Sequence, residues 1–510
     1  MARRRNTVVT ALFTYGQSTI GMVLGLLVTR VVLRMLGKDT WGLWAASGAL
    51  LAYAGLADLG VLRVLQWVVA DADGRKDHDR IRASLSSALP FACLTGIGYF
   101  AVACLLWHFY PNLLQLSPHD QGLLQGPVFV VVGLTAVTFP LRLFTVLLTG
   151  LQDATFLGAL GLFEVVGTSL LTFVLAWRGL GLYALAIGAT LPPVLSALAA
   201  LVRANISFRS LVRRWPAPTR LLMRSLAVDG MGLWLAQVGF QLAAATDPII
   251  LSYCGLRAAI SGFVITSRLP MTLMHFGWIL PNAALIGLAQ LAAEQSRARV
   301  HEVVLAILRL HLILAGAVAS AVLASNAGFI RVWVGADLFM GAPLNAMMAA
   351  NAVMMTAVHG LISISSVFGR RLEVGLVFLA NGVLHVLLAS VLSRYIGVNG
   401  VAVGTFISAA LTGLPVGLWL LELKTGVRKR EILTQVYWPW CSRFAPLAVL
   451  AFALGRFSPA LPFWVLAVAC GAFGLLYLFW MKPLYVGLPL GPRLSGWLGK
   501  LRLLPPPSST

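Results

Sequence analysis

The sequence predicts an all-α polytopic membrane protein of about fourteen transmembrane helices: two six-helix lobes related by a pseudo-two-fold axis along the membrane normal, followed by two extra helices. Three observations predict it. Of 510 residues, 59% are hydrophobic and only 11% charged, a usage far outside that of soluble globular domains. Apolar stretches of roughly 20 residues recur from end to end, each long enough to cross a hydrocarbon core of about 30 Å as a helix. They are continuous rather than alternating, which excludes a β-barrel. Finally, the chain matches itself weakly but in order at an offset of about 217–219 residues.

In chain order, the spans fall near 8–35, 41–63, 83–109, 123–149, 154–177, 180–202, 226–251, 257–291, 301–325, 342–368, 372–394, 397–422, 443–457 and 462–481. The basic "MARRRN" precedes a run that exceeds a signal-peptide core and shows no cleavage site, so it reads as a retained first helix. The self-match sets "TRVVLRMLGKDTWG" (29–42) against "TDPIILSYCGLRAAISG" (246–262), "TGLQDATFLGALG" (149–161) against "FGRRLEVGLVFLANG" (368–382), and "GLGLYALAIG" (179–188) against "GVNGVAVG" (397–404). The expected organisation is an N-lobe at 1–202, a basic cytoplasmic linker at 203–225, a C-lobe at 226–422, two further helices at 423–481 and a basic, proline-rich tail at 482–510. Units with an even number of helices keep one orientation, giving a parallel repeat, a central cavity and alternating access.

The net charge of +21 does not point to nucleic acid, because of where the positive residues lie. Alternate loops carry Arg3–Arg5, "GRKDHDRIR" (74–82), Arg203 through Arg224, "SRAR" (296–299), Arg370 and Arg371, "KTGVRKR" (424–430) and the tail. The opposite loops hold roughly a quarter as many, which is the positive-inside bias and puts both termini in the cytoplasm. Basic loops there touch anionic membrane lipids. The five cysteines lie in or beside apolar segments without metal spacing, so they imply neither a zinc site nor a disulfide framework.

Ionisable residues within spans cost about 2.5–3.5 kcal/mol each at mid-helix on insertion scales, so they mark function or pairing. Arg30 lies about two turns inside span 1, where a long side chain can also snorkel. Arg142 follows Pro140 in "TFPLRLF", where a missing backbone donor predicts a kink with exposed carbonyls. Arg268 in "ITSRLPMTLMH" falls near mid-bilayer. Asp58 and Arg63 lie near the cytoplasmic end of span 2, where a structural role competes with a functional one. Glu164 has two readings, pairing with an arginine or protonation coupled to transport. Asp247, next to Pro248, reads as the cap of a broken helix or a cation contact. His275 and His359 are candidate polar contacts, although a lone histidine on an apolar helix is more often hydrogen-bonded core. His311 and His385 carry less functional weight.

Phosphate loops, zinc-protease motifs and nucleophile elbows are absent from the sequence; "HEVVL" (301–305) has Leu305 where a second ligand belongs. No cofactor is expected. Energy would come from an H+ or Na+ gradient, the membrane potential or the substrate itself.

"LLVTRVVLRMLGKDTWGLW" (26–44), "YAGLADLGVLR" (53–63), "LLTGLQDATFLGAL" (147–160), "ATDPIILSYCGLRAAISGFVITSRL" (245–269) and "FIRVWVGADLF" (329–339) together resemble the polysaccharide flippases of the multidrug/oligosaccharidyl-lipid/polysaccharide exporter superfamily. The resemblance covers roughly the first 420 residues. It implies a carrier that turns undecaprenyl-pyrophosphate-linked oligosaccharide from the inner to the outer leaflet of a bacterial cytoplasmic membrane. It also implies a cationic cavity, and polysaccharide polymerases or glycosyltransferases as partners. Arginine forks suit diphosphate oxygens, so Arg30, Arg142 and Arg268 become expected headgroup contacts assisted by His275 and His359. Asp58, Glu164 and Asp247 become expected coupling groups. The competing readings are a lipid II flippase, a cation-coupled multidrug or metabolite antiporter, whose cavity should concentrate acids, and a membrane glycosyltransferase, which would ordinarily need a larger external loop.

Overall fold

A computed structural model describes residues 2–213, 215–293, 297–368 and 371–486. Arg214, Arg370 and the tail beyond 486 lie outside the described residues. Those described form helices joined by short turns and loops, with no strand among them. Among the described residues, ten helices are long and apolar enough to cross a membrane, or eleven if one bent pair is a single span. The expected spans near 226–251, 257–291 and 443–457 are helical but are not among those eleven. The first carries Arg224, Asp229, Gln237 and Gln241 on one helix, and the last is flanked by Arg443 and Arg456. The helices divide into two compact units, residues 1–261 and 262–510.

The first unit contains α1 (Ala2–Leu36), α2 (Lys38–Ala54), α3 (Val61–Gly74), α4 (His78–Leu113), α5 (Pro118–Gly150), α6 (Ala154–Trp177), α7 (Leu182–Ser207), the single turn α8 (Arg209–Val212), α9 (Arg220–Ala245) and α10 (Asp247–Tyr253). The starts obey ordinary capping chemistry. The Asp77 side chain accepts the Arg80 N–H at 2.9 Å, and Ser117 and Asp120 form a reciprocal capping box. Helix α5 runs unbroken through Pro127 and Pro140, so the expected kink at Arg142 does not end the helix. Small residues let backbones approach: α1 crosses α6 at Gly158, whose carbonyl accepts from the Gln17 amide at 2.9 Å. The interior is built from Leu65, Val69, Ile81, Leu85, Leu143 and Leu147, on α3, α4 and α5.

Span 2 departs from its expectation. The apolar run at 41–63 is not one helix but breaks over 55–60, bends by 52° and continues as α3 to Gly74. Gly60 supplies the break with a left-handed backbone, φ +74°, which costs glycine little. Asp58, expected near a span end, therefore sits at a break inside the bent span.

The second unit contains α11 (Ile260–Ala293), α12 (Arg297–Trp333), α13 (Ala342–Val367), α14 (Arg371–Ile396), α15 (Asn399–Ser408), a π-helical turn (Ala409–Gly413), α16 (Leu414–Thr425), α17 (Lys429–Ile432), a second π turn (Leu433–Tyr437), α18 (Trp438–Phe457), α19 (Phe463–Trp480) and α20 (Lys482–Tyr485). Its core gathers on α12, where Val304, Leu308 and Leu312 meet Leu361, Leu421 and Tyr477. The Tyr477 hydroxyl donates to the Ile313 carbonyl at 2.6 Å, so a polar tip is satisfied inside an apolar cluster.

Candidate functional site

The first unit encloses a cavity of about 480 Å³ at the break in its second span. Three elements converge there for identifiable reasons. Gly230 of α9 approaches so closely that a methyl group on it would lie 2.6 Å from the Leu59 carbonyl oxygen, and one on Gly60 would lie 2.6 Å from that of Gly230. The crossing therefore requires glycine on both sides. Trp234, one turn along α9, donates its indole N–H to the Leu56 carbonyl at 2.6 Å, satisfying a backbone group that the break leaves over. Arg63, on the first turn of α3, donates to the Gln237 side chain at 3.1 Å.

Arg142 enters from α5, with its guanidinium carbon 4.7 Å from the centre of the Phe139 ring, a cation–π distance. The Phe139 ring is held in turn by Tyr99, with centroids 5.3 Å apart. Asp58 completes the wall. Its carboxylate feels both Arg142 and Arg63 and takes the Gly60 N–H, while Oδ1 is buried with no hydrogen-bond partner. Two guanidinium groups thus share the cavity with one carboxylate. Glu164 of α6 lies within electrostatic reach of Arg142.

Of the residues expected from sequence, Asp58 and Arg142 are brought together here, and Glu164 stands nearby. Arg30 is half-buried on α1 and does not line this cavity. Asp247 is 5% exposed and opens α10 one residue after its N-cap, Thr246, which joins the Tyr53 hydroxyl in a short hydrogen bond. In the second unit Arg268 and His275 are exposed on α11. His275 meets His359 of α13 through an intervening Trp278. Sequence reasoning did not select Tyr99, Trp234 or Gln237, and it noticed Arg63 without assigning it to a site.

No family model matches the chain, and no curated protein matches it. Solved structures do. A multidrug resistance MATE family transporter of the MOP superfamily in its inward-facing conformation superposes with TM-score 0.62 at 13% identity, covering 82% of this chain and 99% of that one. The likeness is one of fold alone. An outward-facing structure from the same family gives 0.58 at 14% identity, over 82% and 96%. A MOP superfamily transporter from Pyrococcus furiosus, described by the reverse polarity of its binding pocket as having a different function, gives 0.60 at 14%, over 81% and 96%.

Proposed function

We propose that this protein is a transporter that turns undecaprenyl-diphosphate-linked oligosaccharide from the inner to the outer leaflet of a bacterial cytoplasmic membrane by alternating access, in the service of polysaccharide biosynthesis. The observation that carries the reading is the pairing of Arg63 and Arg142 against a single carboxylate, Asp58, in one cavity of a membrane-embedded fold. Such a site keeps positive charge in excess, and guanidinium forks bind phosphate oxygens with charge-assisted hydrogen bonds that strengthen in a low dielectric. At about 480 Å³ the cavity is the size of a small-molecule site, which typically spans about 300–1,000 Å³. It suits the diphosphate and its first sugar, leaving the polyprenyl chain to the lipid. Arg30, Arg268, His275 and His359 are proposed as further headgroup contacts in their own units. Lipid II presents the same headgroup chemistry, so a peptidoglycan role is the nearest variant.

One observation favours a second reading. The bare Oδ1 of Asp58 is an acceptor that a proton, Na+ or an organic cation would use, as a cation-coupled multidrug antiporter requires. The structurally similar MATE transporters are described as multidrug resistance proteins. The two readings part on the arginines. In proteoliposomes loaded with a fluorescent undecaprenyl-diphosphate oligosaccharide, Arg142→Ala and Arg63→Ala should each slow flipping about tenfold or more at equal protein, the loss expected for a charged hydrogen bond of roughly 1.5–3 kcal/mol. Flipping unchanged in both variants would remove the arginines from the site, and a wild-type protein that moves organic cations without flipping the lipid would favour the antiporter.

A further inference from the structure

The cavity of the first unit extends beyond its charges. Its charged lining is confined to Asp58, Arg63 and Arg142, and from there the wall continues along α2 through Gly55, Ala52 and Gly48 to Trp44. Residues 44, 48, 52 and 55 recur at helical spacing and so share one face. The rise from Trp44 to Gly55 is about 16 Å at 1.5 Å per residue, which sets the half-buried Trp44 well apart from the break and its arginines.

No backbone approach requires glycine at position 48. The residue lies inside a helix, where glycine is less favourable than alanine, and a methyl added to it meets nothing within 4 Å. The same is true of Gly55, in contrast to Gly60 and Gly230, which press backbone against backbone. Gly48 is exposed and lines the cavity. What its missing side chain provides is room beside Trp44.

The opposite wall is held in place before any ligand arrives. Helix α9 runs antiparallel to α2, its Trp234 donating to the Leu56 carbonyl at 2.6 Å while the Tyr53 hydroxyl donates to the Gln241 carbonyl at 3.4 Å. Gln237 therefore lies level with the end of α2, between the arginines and Trp44. Arg63 donates to its side chain at 3.1 Å. A guanidinium has no acceptor, so the atom it faces is the amide oxygen, and the Gln237 NH2 group turns the other way with its two donors.

We infer that the Trp44 end of this cavity is a subsite for an uncharged hexose, the sugar joined to the diphosphate that Arg63 and Arg142 hold. The assignment rests on the diphosphate reading above and adds the chemistry of the neighbouring group. A pyranose presents an apolar face of C–H bonds, slightly positive, that suits the negative face of an indole. The hydroxyls around its rim need a few directed partners, which the Gln237 amide offers. Gly48 leaves space for the thickness of the ring. A uronic acid would find no cation at this end, because both lining arginines stand beside Asp58.

Calorimetry on the full chain in nanodiscs tests this with two probes of equal charge, dimethyl diphosphate and a hexosyl methyl diphosphate. The wild-type protein should bind the second about tenfold more tightly, and a hexuronosyl methyl diphosphate should bind more weakly than the hexosyl probe. The gain should vanish in Trp44→Leu and in Gly48→Leu, whose side chain fills the space, while dimethyl diphosphate binds both variants as it does the wild type. Gly48→Ala should keep most of the gain. The comparison of probes on wild type needs no variant to fold. Equal affinity for the two probes would overturn the subsite and leave the diphosphate reading standing. A gain that persists in both Trp44→Leu and Gly48→Leu would overturn it by placing the sugar elsewhere, and binding of neither probe would remove the diphosphate reading and the subsite with it.

Discussion

At the scale of single residues, the cavity in the first unit is defined by Asp58 as much as by its arginines. Its carboxylate lies within the fields of Arg142 and Arg63 and so competes with any anion for the same guanidinium groups. Removing that charge while keeping the shape should free both cations. Asp58→Asn is therefore expected to bind inorganic pyrophosphate about tenfold more tightly, equivalent to roughly 1.4 kcal/mol. The same variant should flip substrate more slowly, because release then works against an uncompensated positive pair. Calorimetry and a flipping assay on one preparation check both halves, and an affinity equal to wild type would refute the competition. Arg142→Lys should recover only part of the transport lost in Arg142→Ala, since an ammonium cannot reproduce the planar fork. Asp58 and Arg142 were legible in the sequence because a charge in an apolar run is costly enough to need a reason. Tyr99, Trp234 and Gln237 were not, because neutral amphipathic side chains are ordinary on membrane helices and only the fold shows which of them converge.

Elements were legible to the extent that hydropathy reports length. The expected spans fall on helices, yet the fractures within them escaped notice because "GLADLG" (55–60) is nearly as apolar as its flanks. What breaks span 2 is backbone geometry, a left-handed Gly60 at φ +74° lodged against Gly230, and a hydropathy window does not register a missing side chain. The same geometry gives a stability prediction. Gly230→Ala sets a methyl 2.6 Å from the Leu59 carbonyl oxygen, and since backbone cannot swing aside, the cost should be about 1–3 kcal/mol. Gly60→Ala meets an equal clash and adds a backbone conformation that disfavours L residues, so it should destabilise more. Gly133→Ala, on α5 with nothing within 4 Å of the added methyl, should be neutral or slightly stabilising. Thermal unfolding of the three variants in detergent ranks them, and a Gly230→Ala protein as stable as Gly133→Ala would show that the crossing is looser than described. Because Asp58 hangs on this break, Gly230→Ala should also lower pyrophosphate affinity, whereas Gly133→Ala should not.

Over the whole molecule, the distribution of charge along the helices predicts sidedness. In the first unit, α1, the bent α2–α3 pair, α4, α5, α6 and α7 each satisfy the length and composition of a span. If each crosses once, the turns at 75–77, 151–153 and 208–219 share a side with the N-terminus, and those at 37, 114–117 and 178–181 lie opposite. Arg75, Lys76, Arg80 and Arg82 fall on the first side, together with Arg203, Arg209, Arg213, Arg220 and Arg224; Lys38 and Arg178 fall on the second. Acids do not explain the asymmetry. Asp71 and Asp79 are engaged by Arg75, Arg80 and Arg82 and Asp153 by Arg203 at 3.0 Å, but topology follows lysine and arginine rather than net charge. The N-terminus and the 75–77 turn should therefore be cytoplasmic, with anionic headgroups held by the arginines that carry no acid partner. Lys76→Cys and Arg178→Cys test this in a background with the five native cysteines, of which Cys93 and Cys441 are exposed, changed to serine. In intact cells an impermeant maleimide should label position 178 and spare position 76 until the membrane is opened. Labelling at 76 from outside would invert the orientation and, with it, the direction in which the proposed cargo is turned.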